Sequence, residues 1–193
     1  YRDIDTYEKG LLKQSTNLVA NINADASTLE LTNAAAILDL NGKSLIVSKF
    51  GTGTGKLKGS STSRMYITGS AAGTFYMDQT TPLTSNRLKY LGLASNATAT
   101  IGNALVIYAD TAYSGILELK SSSALTTGTP ALLTLAYNST LDLQGIIGGL
   151  GLGTITGSIN FEDSFSSGFR AYRQAGHVLS TDLSVSQLTD DFD

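Results

Sequence analysis

Cysteine and tryptophan are absent from the 193 residues, and histidine occurs once, at His177. Without cysteine there is no disulfide, no thiolate metal site and no cysteine nucleophile. A single imidazole excludes any centre built from several, and the lack of Trp excludes a platform made of indole rings. Charge is also sparse, at 15% of residues with a formal net of −3. No basic field exists to hold a phosphate backbone, so nucleic acid is not an expected partner. No run approaches the ~20 apolar residues of a membrane helix. The most apolar stretch, residues 141–155, is cut by Gly145, Gly148, Gly149, Gly151 and Gly153. The opening residues Tyr1-Arg2-Asp3-Ile4-Asp5 lack the apolar core of a secretory signal, so export requires that the signal lie upstream or be removed.

What remains is apolar enough to fold. Hydrophobic residues make up 41% of the chain, too many for a disordered polymer of this charge. Three zones differ in texture. Residues 1–23 carry the one helical pattern: Asp5 with Glu8 as a cap pair, then Leu11, Leu12, Leu18, Val19 and Ile22 along one stripe. A short amphipathic helix is expected there, over residues 7–19, acting as an N-terminal cap. Residues 24–161 consist of short alternating segments such as Leu29-Glu30-Leu31, Leu38-Asp39-Leu40, Met65-Tyr66-Ile67, Leu117-Glu118-Leu119 and Leu141-Asp142-Leu143. Period-two alternation marks strands with one buried face, and turn material such as Asn41-Gly42 and Ser121-Ser122-Ser123 separates them.

Ser27-Thr28-Leu29-Glu30-Leu31 and Ser139-Thr140-Leu141-Asp142-Leu143 are degenerate copies of one phrase. Stacked coils account for such copies, because each coil meets the same neighbours and needs the same inward pair. The expected fold is an all-β, right-handed parallel β-solenoid of about 22 residues per coil, with a β-sandwich as the alternative. Its interior is expected to hold Leu29, Leu31, Leu38, Leu40, Leu117, Leu119, Leu141 and Leu143. Residues 162–193 regain charge and aromatics and read as an extension leading toward a following domain.

The run from Leu38 to Val47 (LDLNGKSLIV), followed by Gly51–Ser60 (GTGTGKLKGS), resembles the repeat cadence of large secreted surface proteins of Bacteroidetes. Phe169-Arg170-Ala171-Tyr172-Arg173, with the Ser186–Asp193 phrase, is similar to a segment that follows such repeats. The resemblance covers roughly residues 27–193 and implies export by the type IX route. It also implies a cell-surface or extracellular stalk or adhesin-like role, and it brings no catalytic residues with it.

Several constellations carry a sharper reading beside a plain one. Glu30, Asp39, Glu118 and Asp142 each sit between inward leucines and so point outward. Stacked outward acids can bind Ca²⁺ or cleave polysaccharide, but they are also what a solvated strand face needs. Gly148–Thr156 is similar to a calcium-binding nonapeptide, with Gly153 where the Asp ligand belongs. Gly51–Lys56 lacks Walker spacing. His177 has no acid near it in sequence to make it a general base. The Thr-x-Thr pairs at Thr52/Thr54, Thr98/Thr100 and Thr154/Thr156 do not recur at the coil period, so no flat threonine array of the ice-binding kind is expected. Tyr66, Tyr76 and Tyr108 fall on the outward phase and form the candidate ligand-binding set, an aromatic row that could stack on glycans. No catalytic residue, metal ligand or cofactor is expected.

The function these features point to is a non-enzymatic structural or adhesive module, a stalk or fibre protomer at the bacterial surface or outside the cell. Its partners would be surface glycans or neighbouring copies of itself. The alternatives are a polysaccharide-active β-helix using outward acids such as Asp39 and Asp142, or a carbohydrate-binding module using the tyrosines.

Overall fold

A computed structural model describes residues 9–81, 84–108, 115–136, 139–145 and 151–162. The solenoid lies in a unit spanning Tyr1–Asp163. His177 and residues 163–193, expected to lead toward a following domain, lie outside the described residues.

Among the described residues, seventeen strands form two sheets. One sheet contains β1 (Lys9–Leu12), β3 (Ile22–Leu31), β5 (Ser44–Phe50), β7 (Ser60–Ile67), β9 (Arg87–Leu93), β11 (Leu105–Ile107), β12 (Ile116–Leu119), β14 (Leu133–Leu135), β15 (Thr140–Leu143) and β17 (Ile159–Phe161). The other runs in the order β16 (Thr154–Thr156), β13 (Ala124–Thr127), β10 (Thr98–Ile101), β8 (Thr74–Met77), β6 (Lys56–Lys58), β4 (Ile37–Asp39) and β2 (Thr16–Asn17). Neighbours in each sheet come from successive coils, and every described pairing is parallel. That is an all-β parallel solenoid. A sandwich of two antiparallel sheets is excluded by the pairing alone.

Register explains why the leucine doublets recur. On the ten-stranded sheet Ile22, Leu45, Met65, Leu91, Leu117 and Leu141 stand in one column. Ala24, Val47, Ile67, Leu93, Leu119 and Leu143 stand in the next inward column. Leu38, Leu57 and Met77 do the same on the seven-stranded sheet. Leu45, Met65, Leu91 and Leu117 are buried to 1% exposure or less, and each fully buried aliphatic side chain contributes about 2 kcal/mol. Of the eight predicted interior leucines, Leu29, Leu31, Leu38, Leu40, Leu117 and Leu119 are buried. Leu141 and Leu143 are only half-buried, in the last described rung of their column. Phe50 and Phe75 are buried side by side in the interior, with ring centroids 5.3 Å apart.

Coil length is not constant. Ile37 is in register with Lys56, whereas Ala124 is in register with Thr154. The extra residues go into loops such as that between β8 and β9. There the buried Asp78 accepts a hydrogen bond from the Thr80 amide, and the Ser85 hydroxyl donates to the Asp78 carbonyl. Elsewhere coils close tightly. A Cβ on Gly53 would lie 2.1 Å from the Leu31 carbonyl oxygen, so the glycine-rich run before Lys56 is a contact between coils.

The helix expected over residues 7–19 does not occur in the described residues from Lys9 onward. Among the described residues no helix occurs, and the stretch read as amphipathic contains β1 and β2. β1 pairs with β3 and β2 with β4, making residues 9–23 part of the solenoid itself. Leu18 is buried while Val19 is 65% exposed, which is the alternation of an extended chain and not one helical stripe. A short helix is marginal by itself, and the ladder bonds offered by the next coil outweigh its propensity.

Truncating the column should be costly. Leu117→Ala is expected to lose about 2–5 kcal/mol in urea unfolding, while Thr100→Ala on the outer face should change stability by less than about 0.5 kcal/mol. Equal, small losses at both positions would contradict the inward assignment.

Candidate functional site

The outer face of the ten-stranded sheet is organised by the same register. Opposite the inward columns, Tyr66, Gly92, Glu118 and Asp142 occupy one outward column. Arg64 and Tyr90 are partners in the adjacent one. The Tyr66 and Tyr90 rings are 24° from parallel with centroids 6.4 Å apart. Gly92 makes room for both, since a Cβ there would fall 2.3 Å from the Tyr90 hydroxyl and 2.5 Å from Tyr66 Cδ2.

Polar groups continue the surface along the same column. The Tyr90 hydroxyl donates a short hydrogen bond to the Glu118 carboxylate. Gln144 Nε2 donates to Glu118 Oε1 at 2.8 Å and to Asp142 Oδ2 at 3.0 Å, so one amide ties the two carboxylates together. Lys120 Nζ lies 4.0 Å from Glu118 Oε1 and 5.6 Å from the Tyr66 ring centroid. Hydrogen bonding to Tyr66, and then the nearby negative charges, raise the Lys120 pKa, keeping the ammonium charged. Burial, followed by the Glu118 hydrogen bond and charge, pushes the Tyr90 phenol far above its ordinary value of 10.0. Tyr90 is therefore a hydrogen-bond donor at neutral pH and not a base.

The three tyrosines predicted as one row are not brought together. Tyr66 is on β7, whereas Tyr76 is on β8 of the other sheet, beside a shallow groove also lined by Glu30, Lys49, Thr52 and Thr74. Thr52 Oγ1 donates to Glu30 Oε1 at 3.2 Å there. Tyr108 follows β11, with the Arg87 guanidinium 4.0 Å from its ring centroid. The partner that Tyr66 does have, Tyr90, was not among the predicted residues. Its signal was present in Leu91-Gly92-Leu93, which falls into register with Met65-Tyr66-Ile67 once the coil length is allowed to vary.

The acids separate as well. Asp39 is on the seven-stranded sheet, bridged to Lys58 at 2.9 Å and accepting from the Asn41 amide at 2.8 Å. It is not a partner of Asp142; Glu118 is. Among the described residues no group of three or more His, Cys, Asp or Glu side chains is placed to hold a metal ion. The Thr-x-Thr pairs do not sit on successive coils, as their spacing implied. Thr98/Thr100 and Thr154/Thr156 share columns two coils apart, with Ala124 and Thr126 between them, because the coils here are longer than 22 residues. The hydroxyls of Thr98 and Thr154 donate to the Ser70 and Ser123 carbonyls, which spends them on neighbouring coils.

Set against known protein families, curated proteins and solved structures, the chain matches none. Its surface is accordingly read from its own chemistry.

Tyr90 supplies a direct check of this geometry. A phenol whose pKa is raised by folding adds stability that is complete below pH 10 and is lost as pH climbs toward the folded value. Absorbance titration at 295 nm should show one tyrosine ionising later than the exposed ones while the fold persists. The late component should vanish in Tyr90→Phe; if it survives in that variant, the assignment to Tyr90 is wrong.

Proposed function

We propose that the chain is a non-enzymatic structural and adhesive module, a segment of stalk or a fibre protomer of a bacterial surface or extracellular protein. The observation that carries this reading is the continuity of the inward columns through parallel strands of successive coils, which holds despite register shifts within the β3–β5 and β7–β9 pairs. Each coil is clamped to the next by backbone hydrogen bonds and by the aliphatic columns, so bending requires breaking many contacts together. Such a body holds a neighbouring domain at a set distance. The surface setting is supported by the resemblance of residues 38–60 to secreted repeat proteins, and its partners are surface glycans or further copies of the chain.

Stiffness is measurable because the chain has no cysteine of its own. Asn17→Cys and Thr154→Cys place dyes on β2 and β16, the two ends of the seven-stranded sheet. At ~4.8 Å per strand they stand about 30 Å apart along the stack. Single-molecule energy transfer should give one narrow peak; a broad or multiple distribution would remove the spacer reading.

A second reading, cleavage of polysaccharide, is favoured by one feature, the Glu118–Asp142 pair held on Gln144. Glycosidases use two carboxyl groups on the order of 5–9 Å apart. Incubation with plant and algal glycans should release neither reducing ends nor unsaturated products. Turnover that disappears in Glu118→Gln or Asp142→Asn would replace the module with an enzyme.

A further inference from the structure

We propose that the Tyr66–Tyr90 face of the ten-stranded sheet binds a neutral polysaccharide chain. A sugar ring has an apolar C–H face and a rim of hydroxyls, so its site needs a flat aromatic surface beside groups that accept and donate hydrogen bonds. The two rings supply the first. They come from successive coils, lie nearly parallel and share Gly92 beneath them.

The rim is supplied by neighbouring columns. Glu118 and Asp142 are register partners with oxygens on a single Gln144 amide, close enough together to receive adjacent hydroxyls of one ring. Lys120 and Arg64 bring donors to the same face. Two cations and two carboxylates balance, which favours an uncharged polymer over a polyuronate. The groups are already ordered by contacts among themselves: Tyr90 with Glu118, Glu118 with Gln144, Lys120 with Tyr66. Little conformational entropy remains to be lost when a ligand arrives. Tyr76 lies on the other sheet and Tyr108 is packed under the Arg87 guanidinium, so the site differs from a row of all outward tyrosines.

This assignment names a ligand class for the adhesive reading and takes its biological setting from it, but binding is measured separately. The test is affinity electrophoresis of the intact 193-residue chain in gels containing mannan, xylan, β-glucan or polygalacturonate. At least one neutral polymer should retard the protein. Tyr66→Ala and Tyr90→Ala should each weaken that retardation about 10-fold, whereas Tyr76→Ala should leave it unchanged. Glu118→Gln keeps the side-chain shape, so it should weaken retardation with an unchanged circular dichroism spectrum and covers the case in which a ring truncation unfolds the sheet. No retardation in any neutral gel, retardation in polygalacturonate alone, or equal retardation of wild type and both tyrosine variants would overturn the proposal. A narrow energy-transfer peak without retardation keeps the spacer and removes this site; a broad distribution with tyrosine-dependent retardation does the reverse.

Discussion

The inward aliphatic column is the constraint on which everything else in the solenoid depends. Parallel strands hydrogen-bonded in register put residue above residue, so whatever occupies Leu91 must fit between Met65 and Leu117. Side chains of one size and character are therefore required at one phase of every coil, and the backbone ladder supplies the spacing that makes their contacts repeat. Residues between the inward pairs face away from the core and escape that constraint. They are free to be Tyr66, Gly92, Glu118 and Asp142 in succession.

That freedom is what builds a surface. In a straight ladder, neighbours in an outward column are held about 4.8 Å apart whatever their identity. Placing a glycine in the column opens a hollow one coil deep, and the rings of Tyr66 and Tyr90 occupy it. Beyond the hollow the column becomes acidic; Gln144 donates a hydrogen bond to each carboxylate and the Lys120 ammonium lies beside Glu118, which together offset the repulsion of like charges stacked on one another. Rings, acids and amide thus form one connected patch drawn from four coils. Asp39 and Lys58 form a simpler pair on the opposite sheet, where a salt bridge at 2.9 Å suffices. Exposure there makes the bridge worth little to stability.

Much of the fold was legible because the column writes itself into the letters. Leu38-Asp39-Leu40, Leu117-Glu118-Leu119 and Leu141-Asp142-Leu143 each show an inward pair around an outward acid, and all three are strand segments or their immediate edges. The N-terminal segment misled because Leu11, Leu12, Leu18 and Ile22 satisfy helical spacing, while the partners that decide the matter, β3 for β1 and β4 for β2, lie a full coil further along the chain. The binding face was legible only in part. Outward phase follows from alternation within one strand, but which outward residues are neighbours depends on coil length. Loops such as that around Asp78 make this variable. Tyr66 could be picked out from alternation alone; its companion Tyr90 needed the coil length as well, and the Gln144 tie needed the coordinates.

The register itself can be tested by linking it covalently in a chain that has no thiol. Thr100 and Thr126 are cross-strand partners, and two cysteines bridge when their Cα atoms stand about 4.4–6.8 Å apart. The double variant Thr100→Cys/Thr126→Cys should oxidise readily to an intramolecular disulfide with the melting temperature maintained or raised. Thr98→Cys/Thr126→Cys, shifted by two residues, should remain reduced under the same conditions. Efficient bridging of the shifted pair, with none at the matched pair, would contradict the stacked parallel coils.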